Sequence, residues 1–213
     1  MSSPLDAVRV FHNAFRADMA GIDAAALGAA QGVPGLEPAL ERFDFMNEVL
    51  EWHAEGEEEA VFTALEDIAP RLAWTYDRDH RGLDTAFAEF TRCMSLRDPV
   101  QTSRATAAFT FHLDVHLGKE DAQVYPLIVD TLSPEEQGQI LGALSGRVPR
   151  DRFPEVVAWL FPLVGLDDRA TMARIYQRVQ PPEVVAGLMG IVRGAIGDDE
   201  YAALAAEVPG LPA

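Results

Sequence analysis

The sequence predicts an all-α protein, with an antiparallel up-down four-helix bundle over residues 1–131 and a smaller helical extension over 132–213. Three observations predict this fold. Alternating runs of Val, Ile, Thr and aromatics are absent, which removes the strand signal. Ala, Leu and Glu recur with apolar positions three and four residues apart, the period of a helix with one buried face. The strongest breaker clusters separate long periodic stretches.

The first helix is expected over Leu5–Ala30, ended by Gly32, Pro34 and Gly35. The second is expected from Glu37 and Pro38, an acidic residue and a proline suited to a first turn, to Ala69 before Pro70. The third spans Arg71–Leu96. The fourth starts at Asp98 as N-cap with Pro99 at the first helical position and runs to Thr131. Short connections make neighbours antiparallel. Gly21, Gly28, Gly56, Gly82 and Gly118 interrupt the helical pattern and argue against full regularity. Beyond Ser133-Pro134-Glu135-Glu136, a helix start, shorter helices are expected between Pro149, Pro154, Pro162, Gly165, Pro181-Pro182 and Gly197.

Seventeen basic residues face 34 acidic ones, a formal net charge of -17, so nucleic acid and anionic membrane surfaces are repelled. The longest nearly apolar run, Val156–Leu166, contains Pro162 and Gly165 and falls short of the roughly 20 residues a bilayer needs. The N-terminus lacks a basic start followed by an apolar stretch, so a cytoplasmic location is expected. Cys93 is the sole cysteine, which excludes an intrachain disulfide and a thiolate metal cluster. A metal, if held, needs His, Asp, Glu or Tyr.

All five histidines, His12, His53, His80, His112 and His116, lie in the expected bundle, at least one on each helix. Counting from shared turns compares their heights along the bundle. His12 lies 18 residues before Ala30 and His53 lies 16 after Glu37. His80 lies 16 before Leu96, while His112 and His116 lie 14 and 18 beyond Asp98. Across the second turn the match is poorer, by about one helical turn, a spread that two metals with ligands at two heights would accommodate. His53 with Glu57 and His116 with Glu120 are H-x-x-x-E pairs whose spacing puts both side chains on one face. Nitrogen and carboxylate donors without sulfur suit iron or manganese and also accept zinc. Each feature is commonplace singly: a helical His is usually a surface or core residue, and Glu55, Glu57, Glu58 and Glu59 read mainly as a solvated face. The combination points to a metal site.

The stretches His53-x-x-x-Glu57-Glu58-x-x-Val61-Phe62 and His116-x-x-x-Glu120-Asp121-x-x-x-Tyr125-Pro126 resemble the paired signatures of hemerythrin-like (HHE) domains. His12 and Asp79-His80 fit the other two histidine positions, so the resemblance covers about residues 5–131, with a weaker one in the extension. It implies a non-haem centre of two oxo- or hydroxo-bridged irons, with His12, His53, His80 and His116 as terminal ligands and Glu57 and Glu120 bridging. Oxygen-carrying members have two histidines four apart in the third helix, whereas this chain has Tyr76 four before His80. Tyr76 as phenolate, His112 pointing inward, or water could replace the absent ligand, and Asp121 could bridge instead of Glu120. An open coordination position implies O2, H2O2 or NO as the small-molecule ligand, with catalase-like or other oxidoreductase activity, or sensing. An iron- or oxygen-sensing interaction module without turnover, and a metal-free structural protein, are the alternatives. Phe11, Phe15, Phe109, Phe111 and Leu113 are candidate pocket residues, and the extension is expected to cap the bundle, dock a partner or form a homodimer.

Overall fold

The computed structural model describes residues 3–34 and 36–212, and among these the chain is all-α. Helix α1 spans Asp6–Ala30 and stops where Gly32 adopts φ +87°, a conformation open to glycine. Gly35, the last member of the expected breaker cluster, lies outside the described residues. Helix α2 (Leu36–Gly56) passes through a π-helical segment, Glu57–Val61, into α3 (Phe62–Ile68), forming one long rod. Helix α4 spans Pro70–Ser95, with Pro70 inside its first turn and not merely before it. Helix α5 (Pro99–Lys119) passes through a second π segment, Glu120–Val124, into α6 (Tyr125–Thr131). Asp98 caps α5 by accepting from the backbone N–H of Val100 at 2.9 Å and of Gln101 at 3.1 Å.

Two compact units emerge, Phe15–Arg147 and Met1–Ala14 with Val148–Ala213. In the first, side-chain pairs show the direction of each neighbour. On α2, Phe43 meets Phe90 of α4 with ring centroids 4.3 Å apart, while farther along the same rod Phe62 meets Tyr76 at 6.1 Å. The residue numbers rise on one strand of contact as they fall on the other, so the rods are antiparallel. Helices α4 and α5 behave likewise, through Phe90–Phe109 at 5.3 Å and His80–His116 at 4.8 Å. Helix α1 pairs Asp18 with Arg42, Asp23 with Thr106 at 2.5 Å and Arg16 with Asp121 at 2.7 Å. Its Phe15, Met19, Ile22 and Ala26, spaced by four and three, are all buried. Each large apolar side chain so buried contributes about 1.5–3 kcal/mol.

Helix α7 (Pro134–Gly146) begins at a capping box formed by Ser133 and Glu136. It belongs with the first unit, which runs to Arg147. The reason is local. A Cβ on Gly56 would lie 3.0 Å from Leu144 Cδ2 and 3.1 Å from its Cα, so only glycine lets α7 approach here. Arg147 then pairs with Glu59 and, at 3.8 Å, with Glu55. The glycine that weakened the helical pattern therefore has a packing role.

The second unit holds the start of α1 with α8 (Phe153–Leu163), α9 (Leu166–Val179), α10 (Pro182–Ile196) and α11 (Asp198–Glu207). Pro154 and Pro162 fall within α8 instead of breaking it. Phe11 stands 6.5 Å from Trp159, and Asn13 donates to Asp168 at 2.8 Å. Arg169 takes the carbonyl of Phe161 at 2.7 Å, satisfying an acceptor near the end of α8. No helix among the described residues is long and apolar enough to cross a membrane.

Replacing Gly56 with Ala is expected to destabilise the protein by about 1–2 kcal/mol, because Leu144 presents backbone and the overpacking exceeds the gain in helix propensity. Thermal unfolding monitored by circular dichroism checks this, with a drop of about 2–8 °C in Tm expected.

Candidate metal centre

Glu57 is the first residue of the first π segment and Glu120 the first of the second. The N–H of Phe62 returns to the Glu57 carbonyl and that of Tyr125 to the Glu120 carbonyl, five residues back in each case. Such bulges insert one residue into a helical turn and re-aim the side chains around it, and they gather at functional sites. Here both carboxylates end up inside, Glu57 at 1% exposure and Glu120 at 0%.

His80 from α4 and His116 from α5 meet them. One donor atom from each of Glu57, His80, His116 and Glu120 falls in a group whose members all lie within 4.8 Å of one another, and all four residues are buried. His116 Nε2 lies 3.2 Å from Glu120 Oε1, and His80 Nε2 lies 3.8 Å from the same oxygen and 3.6 Å from Glu57 Oε2. His53 Nε2 stands 3.2 Å from Glu57 Oε1, its ring held edge-on by Phe15 at 5.3 Å. The two H-x-x-x-E pairs therefore face inward together, with His80 between them.

Two residues that the pattern of spacing did not single out support this group. Glu58 is half-exposed on its outer side, and its Oε1 lies 3.0 Å from His80 Nδ1. An Nδ1–H donated there leaves Nε2 turned to the buried carboxylates, the arrangement that orients metal-binding imidazoles. Tyr125, also buried, donates its hydroxyl to Glu57 Oε1. Burial raises the Tyr125 pKa well above its ordinary value, and the charges of Glu57 and Glu120 raise it further, so the phenol keeps its proton. The H-x-x-x-E spacing carries no trace of either contact, because one bond points outward and the other depends on the turn after the π segment.

Three of the candidates, His112, Asp121 and Tyr76, are engaged otherwise. His112 does not point inward beside His116: it is exposed, next to the exposed ring of Phe111. Successive helical positions turn by about 100°, so His112 lies only about 40° from His116, but on the flank of the buried stripe formed by Phe109, Leu113, His116 and Leu117, where it meets solvent. Asp121 is engaged by Arg16 at 2.7 Å, so it ties α1 to the second π segment. Tyr76 is buried near the cluster, 6.3 Å from the His116 ring, and its hydroxyl donates to Gln123 at 3.3 Å. Burial raises its pKa, and Glu120 and Asp79 raise it further, which opposes a phenolate. His12 is fully buried on α1, three residues before Phe15 and so on the same helix face. Phe109 and Leu113 line a cavity of about 130 Å³ that touches His53, Glu57, His80 and His116. Phe111 is exposed, so it lines no interior pocket.

The donor set fits a cation. Two buried carboxylates at this spacing repel each other and demand positive charge. Burial and Glu57 push the Glu120 carboxyl upward, yet the neighbouring imidazoles of His116 and His80 hold it below its usual value. Burial alone would lower the His80 pKa, but the carboxylates of Glu120 and Glu57 beside it carry it up to about 11. His116 Nδ1 is buried and finds no hydrogen-bond partner among the described residues, which leaves a donor nitrogen unused. Imidazole and carboxylate without thiolate suit iron, manganese or zinc.

Helices carrying such a group define a protein with a buried carboxylate–histidine cluster of the kind that holds a metal cation. The family model Hemerythrin HHE cation binding domain matches residues 3–127, and the chain belongs to this family. It is also similar to zinc finger protein BRUTUS of Arabidopsis thaliana, 25% identical over 188 residues that cover 85% of this chain and 15% of that protein. Two BRUTUS-like zinc finger proteins of the same plant are 25% and 23% identical, over 92% and 81% of this chain and 16% and 15% of their own lengths. The chain thus spans about one-sixth of the curated relatives it matches. A match over 92% of the chain extends well past residue 127 and takes in much of the C-terminal helices. No solved structure matches the chain.

The raised His80 pKa sets a pH dependence for the metal-free protein. A folded pKa of about 11 above the ordinary 6.5 gives stability that is complete below pH 6.5 and is lost as pH rises through about 11. The expected loss approaches about 1.4 kcal/mol per pH unit at most. Tm of the chelator-treated protein should therefore fall between pH 7 and pH 10 more steeply than Tm of His80→Gln.

Proposed function

We propose that this chain is a four-helix bundle whose centre holds two bridged non-haem irons and binds, or reacts with, O2, H2O2 or NO in stress response or sensing. The rods formed by α1, by α2 with α3, by α4, and by α5 with α6 are the four helices. The convergence of buried Glu57, His80, His116 and Glu120 within 4.8 Å is the observation that carries this reading. Glu57 and Glu120 would bridge. His53, His80 and His116 would serve as terminal ligands, with His12 as a fourth, since it is buried and lies on the Phe15 face of α1.

Iron with nitrogen and oxygen ligands supplies reversible binding of, or electron exchange with, a small oxidant or diatomic molecule. The chain's own residues prepare the site for it. Glu58 orients His80 through Nδ1, Tyr125 keeps a proton against Glu57, and Phe15 fixes the ring of His53. Apolar side chains around the group limit access of water. Catalase-like turnover is the enzymatic form of this proposal, and an iron- or oxygen-sensing module in the cytoplasm is its binding form. The partial span of the relatives favours the module, because a domain that recurs within longer chains has neighbours to signal to.

Metal analysis and the ultraviolet–visible spectrum of the purified protein test the proposal. About two equivalents of iron and a coloured protein are expected; a folded, colourless protein with under half an equivalent would sink it. His116→Ala should lose most of the metal, roughly 10- to 100-fold in affinity or more. His112→Ala should leave the metal content unchanged.

A further inference from the structure

The cavity beside the cluster is larger than a diatomic molecule needs. A water occupies roughly 10–15 Å³ on a comparable measure, whereas a dry apolar cavity of about 150 Å³ accepts benzene. Here about 130 Å³ is available. Its walls are Leu50 from α2, Leu83 and Phe87 from α4, and Phe109, Leu113 and Leu117 from α5. These side chains offer a water no hydrogen-bond partner, so the part of the space they surround gains little from being filled with water. Polar side chains line it as well: the cluster residues His53, Glu57, His80 and His116, together with Asn47, Glu51 and Asp84. Glu51 and Asp84 are exposed, so an entering anion meets two carboxylates at the surface.

We propose that this cavity binds a small neutral apolar organic molecule, of benzene or toluene size, alongside the carboxylate–histidine cluster. Its position next to a metal centre rests on the function proposed above, whereas the binding itself rests on the size, walls and rim of the cavity. An acidic rim around an apolar interior selects against carboxylates and phosphates of the same size. Ala54 also lines the space and is only half-buried, so a larger side chain there enters the cavity without displacing core residues.

Toluene titrated into the full chain, with leucine methyl groups followed by NMR, tests this with and without metal. Saturable shifts of the Leu50, Leu83 and Leu113 methyls are expected, with a Kd of about 1 mM or tighter. Benzoate should bind at least tenfold more weakly, and Glu51→Gln with Asp84→Asn should narrow that gap. Ala54→Phe should weaken toluene at least tenfold while helicity and metal content stay as in the parent; Leu83→Phe serves if Ala54→Phe does not fold. Absence of saturation, shifts confined to other methyls, or undiminished binding in the folded cavity-filling variant would each overturn the proposal. Toluene binding in a protein that takes up no metal supports the cavity and refutes the iron reading. Iron-loaded protein that ignores toluene does the reverse.

Discussion

Two carboxylates held a few ångströms apart in a helical interior are the constraint that organises this molecule. Glu57 and Glu120 have almost no access to water, and a buried carboxylate without a partner is costly by several kcal/mol. Positive charge must therefore be imported. In the protein without metal, His80 supplies it, since both carboxylates stabilise its imidazolium strongly enough to carry its pKa to about 11. A divalent cation held by the same groups would satisfy both carboxylates and would require the Nε2 proton to leave, so proton and metal would compete for one electrostatic niche. Glu58, 3.0 Å from the other nitrogen of His80, orients the ring. Tyr125 adds a neutral donor to Glu57 without adding charge.

The two long rods that carry these carboxylates solve the same geometric problem in the same way. In each, a His is followed four residues later by a Glu, and at that Glu the helix widens into a π segment. A regular helix would keep each H-x-x-x-E pair on one face, while residues beyond it would continue at the same period. The extra residue shifts the register after the Glu, so the apolar stripe can be resumed at Val61, Phe62 and Leu65 in one rod and at Val124, Tyr125 and Ile128 in the other. Gly56 adds a further condition on the first rod, because its missing Cβ admits Leu144 next to the π segment. The C-terminal limit of the site-bearing unit is thus set one residue from a carboxylate of the site.

The helical class was legible from periodicity, and so were the rod ends, because proline, glycine and the Asp98 cap act locally. Glu57, Glu120, His53, His80 and His116 could be paired by spacing and height, since those follow from rise per residue. His112 shows the limit of that method. Its height matched as well as that of His116, but height does not fix the face, and the face is set by which residues of α5 the core takes up. The π segments left no pattern in composition, for their cause is the packing of carboxylates against imidazoles from other helices. The place of α7 in the first unit was hidden for a similar reason: the contact of Gly56 with Leu144 joins residues nearly 90 positions apart.

The third rod explains how the site and its cavity fit together. It brings a single histidine, His80, where oxygen carriers of this resemblance bring two. Along α4 the side towards Tyr76 is filled, for Tyr76 packs near Phe62 and bonds Gln123. The side towards Leu83 and Phe87 is where the space lies. Farther along that side, Phe43, Phe87, Phe90 and Phe109 pack ring to ring, with Phe90 and Phe109 nearly parallel at 3°. Four rigid rings hold the rods apart without filling the turn between themselves and His80, because aromatic planes cannot bend into it as a leucine or methionine could. A cluster that demands charge at one end and an aromatic plug at the other therefore leave an apolar gap between them, and the gap persists because neither end can give way.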